Sequence, residues 1–82
     1  MLKLVNIVKN NNRIEADYIP ENSSKKAHIS LDTDTHEYSA ENIEEYGEIY
    51  GRMAANGLIR TLNELEKNKI SSIPKERLVM WY

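Results

Sequence analysis

Residues 13–19 alternate without a break: Ile14, Ala16 and Tyr18 fall on one side, Arg13, Glu15 and Asp17 on the other. A period of two marks a half-buried strand. Residues 27–32 repeat the pattern, with Ala27, Ile29 and Leu31 set against His28, Ser30 and Asp32. Two such strands commit the chain to an antiparallel sheet with one packed face and one solvated face.

The remaining segments fit around that pair. Residues 2–8 form an earlier strand, joined through Asn10-Asn11-Asn12, a run that tolerates left-handed backbone. The polar stretch from Pro20 to Lys26 is a loop. Asp32-Thr33-Asp34-Thr35 supplies turn chemistry, and His36–Ser39 returns as a short strand with Leu31 opposite Tyr38. A helix is predicted from about Asn42 or Glu45 to Lys67, with Ile43, Tyr46, Tyr50, Met53, Ala54, Leu58 and Leu65 near one face. Asn42 and Glu45 have the spacing of a capping box. Gly47, Gly51 and Gly57 all fall within this span; close packing accounts for them, or Asn56-Gly57 breaks the helix in two. After a connector with Ser71, Ser72 and Pro74, residues 77–82 form a last strand, whose apolar and aromatic side chains call for burial. The expected fold is a single α+β domain over residues 1–82. It is an antiparallel sheet of four to five strands, a β-meander followed by one long helix and a C-terminal strand beside the first.

The two outer segments break the alternation. Leu2, Leu4 and Val8 oppose Val5 and Ile7; Leu78, Met80 and Tyr82 oppose Val79 and Trp81. Strands apolar on both sides need cover that a single helix does not give. At 82 residues the core is small, and with no cysteine no disulfide can supplement it. A second subunit is the natural supplement. The aromatics, five Tyr and one Trp with no Phe, all carry a polar handle of the kind enriched at interfaces. These features predict a homodimer whose interface includes Val5, Ile7, Tyr46, Tyr50, Val79 and Trp81.

Chemistry-bearing motifs are sparse. In Asp32-Thr33-Asp34-Thr35-His36-Glu37 the hairpin sets Asp32 across from Glu37, a like-charge pair that a divalent cation would relieve, with Asp34 or His36 as further ligand. The competing reading is plain turn chemistry, since the spacing lacks the glycine and terminal glutamate of a calcium loop. His28 lies on the polar strand face, where solvent exposure is the ordinary outcome. No nucleophile elbow, phosphate-binding glycine loop or zinc signature occurs, so no enzyme activity and no cofactor are expected.

Acids cluster from Asp32 to Glu48, seven with no Lys or Arg, whereas from Arg52 to Arg77 bases outnumber acids six to three. A helix dipole favours that order. Lys9, Arg13, Lys25, Lys26, Lys67, Lys69, Lys75 and Arg77 offer an alternative reading, a small nucleic-acid-binding or antitoxin-like regulator, against a net charge of −2. No stretch reaches the ~20 apolar residues of a membrane span, and the N-terminal segment lacks a cleavage site, so the location expected is cytoplasmic.

Three stretches resemble a family of small uncharacterised α+β proteins of Gram-positive bacteria: Ala16-Asp17-Tyr18-Ile19-Pro20-Glu21, the hairpin from Ile29 to Glu37, and the ending from Pro74 through Met80-Trp81-Tyr82. The resemblance implies an intracellular bacterial setting and an integral Trp-Tyr segment, and carries over no catalytic residue. The strand order around the helix also resembles small antitoxin-like and RNA-binding domains, an analogy of fold alone. The leading expectation is a non-enzymatic protein-interaction module that self-associates.

Overall fold

The computed structural model describes residues 1–21, 23–41 and 49–79. Its elements run β1 (Leu2–Lys9), β2 (Arg13–Pro20), β3 (Ala27–Asp32), β4 (Tyr38–Ala40), α1 (Ile49–Glu66) and β5 (Arg77–Val79). The five strands form one antiparallel sheet in the order β4-β3-β2-β1-β5, with β5 on the free side of β1. This is the α+β meander, helix and closing strand that the alternation predicts. The predicted cap at Asn42 and Glu45, together with Ile43, Tyr46, Gly47, Met80, Trp81 and Tyr82, lies outside the described residues.

Helix α1 packs on one face of the sheet. Leu2, Leu4, Ile14, Ala16, Tyr18, Ala27, Ile29, Leu31 and Val79 are buried beneath it, and its own buried positions include Gly51, Ala54, Ala55, Leu58 and Thr61. The buried stripe is thus centred on small residues, with Tyr50 and Met53 at its edge. Small side chains let the helix approach the sheet closely. At Gly57 a Cβ would stand 2.6 Å from Val79 Cγ2 and 3.1 Å from Leu4 Cδ1. Gly57 is therefore where β5 and β1 meet the helix, and the helix passes through Asn56-Gly57 without a break.

Two polar struts complete the packing. Arg77 on β5 donates to Thr61 Oγ1 at 2.9 Å and pairs with the Glu64 carboxylate, and Thr61 donates to the Gly57 carbonyl. Across the sheet, the buried Tyr18 hydroxyl donates to the backbone carbonyl of Glu41, and burial pushes its pKa up.

The first strand departs from strict alternation. Asn6 adopts a left-handed backbone (φ 54°), and the β1–β2 register shifts between Val5 and Val8. The extra residue of this bulge turns Ile7 back toward the helix, where it is 5% exposed, and ejects Val8 to 54% exposure. The predicted faces of β1 are corrected accordingly: Leu2, Leu4 and Ile7 share the core side, and Val5 and Val8 the other. In β5 Val79 is buried at 6% and Leu78 stands out at 61%. The return strand also starts later than predicted, at Tyr38, because His36 takes up a left-handed conformation (φ 63°) and completes the turn.

Substituting Gly57→Ala is expected to destabilise the domain. Overpacking against the β-branched Val79 costs about 1–3 kcal/mol, while the gain in helix propensity returns at most about 1 kcal/mol. Urea denaturation would check this; a variant more stable than the parent would show that the helix–β5 contact is not tight.

Candidate functional site

Helix α1 covers one face of the sheet; among the described residues no element packs on the opposite, bare face, and its side chains follow from strand register. Lys3 lies between Ile19 on β2 and Leu78 on β5. The next row sets Val5 beside Asp17, and Asp17 beside His28. In the third, Val8 pairs with Glu15, Glu15 with Ser30, and Ser30 with Ser39. The apolar residues gather toward β1 and β5, and the titratable groups lie over β2 and β3.

At the centre of the polar half, His28 is held between two carboxylates. Its Nδ1 is 3.1 Å from Asp17 Oδ1 and its Nε2 is 3.1 Å from Glu15 Oε1. Asp17 also accepts from Asn6 Nδ2 at 3.1 Å and lies 3.9 Å from Lys26 Nζ. The bulge at Asn6 thus aims its amide at the same cluster. Arg13 donates to Ser30 Oγ at 2.6 Å. Hydrogen bonds to Asp17 and Glu15 outweigh desolvation and raise the His28 pKa above its ordinary 6.5. Burial alone would push the Asp17 carboxyl up, but the hydrogen bonds from Asn6 and His28 and the Lys26 charge more than reverse this and hold it below the ordinary value.

At the apolar end, Met1, Ile19, Pro20 and Leu78 border a recess of about 290 Å³, with Lys3 and Glu21 on its rim. A wider and more polar cleft, lined by Lys9, Asn10, Asn11, Leu65, Ser71, Ser72 and Ile73, separates the first turn from the segment after the helix. It pairs no nucleophile with a base.

The predicted residues are placed as follows. Val5 is half-buried on the bare face. Ile7 and Val79 are buried under the helix, because of the bulge and the alternation of β5, and present no surface to a partner. Tyr50 is half-buried beside the core, and Tyr46 and Trp81 lie outside the described residues. In the β3–β4 hairpin Leu31 does oppose Tyr38. The Asp32 carboxylate is engaged by its own turn, with Oδ1 accepting from the backbone N–H of Asp34 at 2.8 Å and of Thr35 at 3.0 Å. These bonds lower its pKa. Asp34, His36 and Glu37 do not converge on it as ligands: among the described residues no group of three or more His, Asp or Glu side chains could hold a metal ion. That geometry favours the turn reading over the cation.

Three of the basic side chains sit in mixed pairs, two of them, Lys26 and Arg77, among the eight that suggest a nucleic-acid surface. Lys3 lies 3.8 Å from Glu76, Lys26 pairs with Asp17, and Arg77 is held by Glu64 and Thr61. A phosphate backbone needs cations collected on one surface. Sequence reading missed Val8 and Leu78 as exposed apolar positions, Ile19 as a half-buried one on the same face, and the partners of His28. Comparison with protein-family models, with curated proteins and with solved structures gave no match.

The raised His28 pKa sets a sign for stability. Its contribution is complete below the unfolded value near 6.5 and is lost as pH rises through the higher folded value. The urea midpoint is expected to fall slightly from about pH 6 to about pH 9 in the parent and to stay flat in His28→Gln, the effect being small because the side chain is half exposed. A flat parent profile would mean that the imidazolium gains nothing from Glu15 and Asp17.

Proposed function

We propose that the chain is a non-enzymatic protein-interaction module that self-associates, with the uncovered sheet face as its binding surface and the cytoplasm as its setting. The single observation behind this reading is the set of four apolar side chains, Val5, Val8, Ile19 and Leu78, on the face that no helix among the described residues covers. Val8 and Leu78 are more than half exposed. A solvated sheet face is ordinarily polar at such positions.

The choice of a second copy as the occupant rests on self-complementarity. A two-fold interface brings the same patch to itself, so it needs protrusion beside recess and both signs of charge within one face. Leu78 stands beside the Ile19–Pro20 recess, and Lys3, Arg13 and Lys26 share the face with Glu15 and Asp17. Size is also consistent. Eight residues of strand at ~3.4 Å and four inter-strand spacings of ~4.8 Å give a flat area of about 500 Å². A standard interface buries about 800 Å² of accessible surface on each partner. Relief from side chains brings the two into the same range only if most of the face takes part. Among the described residues, no helix is long and apolar enough to cross a membrane, so the open face is not accounted for by a helical membrane span.

Sedimentation equilibrium at micromolar concentration should show a dimer, and Leu78→Asp should weaken it by about tenfold or more while leaving the fold intact, since charging an apolar anchor of an interface costs about 2 kcal/mol. A chain that remains monomeric up to about 100 µM refutes the proposal.

A further inference from the structure

We infer that self-association of this chain is proton-linked, with His28 seated between Glu15 and Asp17 as the group whose proton favours the associated form. The inference rests on the reading of the bare sheet face as the self-association surface. It goes further by assigning the condition under which that surface closes.

Hydrogen-bond chemistry dictates which form of the ring fits this seat. Both ring nitrogens of His28 stand 3.1 Å from a carboxylate oxygen. A neutral imidazole carries one N–H, so one of the two contacts would set a lone pair against an anionic oxygen. Only the imidazolium donates to both. The geometry is that of the protonated ring.

The charge count gives the direction. The charged groups around the ring are Glu15, Asp17 and Glu41, whose Oε1 accepts the His28 backbone N–H at 2.8 Å, against Lys26 and Arg13, which donates to Ser30 beside Glu15. On β1 the neighbour is the uncharged Asn6. With the ring protonated, three positive charges balance three negative ones and the cluster is neutral; after proton loss it carries −1. Because a standard interface needs most of this face, the cluster lies within it or at its rim. Two copies of a neutral cluster can be desolvated together. Two copies at −1 repel, and the repulsion is stronger once water is excluded. Proton loss therefore weakens association, by about tenfold for one charge on each subunit at roughly 10 Å and intermediate dielectric.

The test is sedimentation equilibrium of the full chain at about pH 6 and about pH 9, with the parent and His28→Gln. The expected result is a parent dimer whose dissociation constant rises about tenfold over that range and a variant whose constant stays level. The variant control separates His28 from every other titratable group of the chain. A dimer of equal strength at both pH values overturns the inference and leaves the self-association reading standing; so does a pH dependence retained in His28→Gln. A parent that is monomeric at both overturns the two together. Should the variant fail to fold, the parent's His28 ring signals provide the same test by nuclear magnetic resonance. Linkage requires their pKa to be higher in concentrated, associated samples than in dilute ones, and an unchanged pKa with demonstrated dimer overturns the inference.

Discussion

Among the described residues a single helix lies on the five-stranded sheet and covers one of its faces, and that asymmetry governs the rest of the described structure. A helix is about 10 Å across and the sheet about 19 Å between its outer strands, so even the covered face depends on close approach. Gly51, Ala54, Ala55 and Gly57 bring α1 near enough for Leu4, Tyr18 and Val79 to pack against it. At one edge Arg77 binds Thr61 and Glu64, and at the other the Tyr18 hydroxyl reaches past the helix to the Glu41 carbonyl. Among the described residues no buried side-chain polar atom lacks a partner. The packed side is closed by small residues and by polar groups at its margins, which leaves the opposite side to explain.

That side is neither wholly polar nor wholly apolar, and the bulge at Asn6 decides which residue of β1 it carries beyond Val5. Without it, Ile7 would face outward and Val8 inward. The left-handed residue exchanges them, keeps the larger Ile7 in the core and leaves Val8 on the open face. The same residue then sends its amide to Asp17. One local conformation therefore shapes both the core and the cluster that holds His28.

The strands and their order were legible because Ile14, Ala16 and Tyr18, and again Ala27, Ile29 and Leu31, alternate with polar residues. The helix was legible from its period. The bulge was not. Leu-Lys-Leu-Val-Asn-Ile-Val reads as a strand under either phase, and the sole local hint was an asparagine, a residue that enters left-handed backbone more readily than most. Missing that phase change assigned Ile7 to the interface, and reading β5 without knowing which side meets the helix assigned Val79 there, when both lie under α1. The polar half was half legible. Alternation put Glu15, Asp17 and His28 on one face, but pairing Asp17 with His28 required the β2–β3 register, which the polar loop from residues 20 to 26 leaves open to several choices.

The composition of the bare face separates the functional readings better than any motif does. His28 has both ring nitrogens occupied by carboxylates, and Lys3, Lys26 and Arg77 are each matched by an acid. A cation site would leave carboxylate oxygens converging, whereas Asp32 spends one on its own turn. What remains is apolar relief at one end and balanced charge at the other, and a surface balanced in that way meets its own two-fold image without accumulating repulsion. The balance holds only while His28 keeps its second proton, so the group that makes the face compatible with itself is also the one most readily changed near neutral pH.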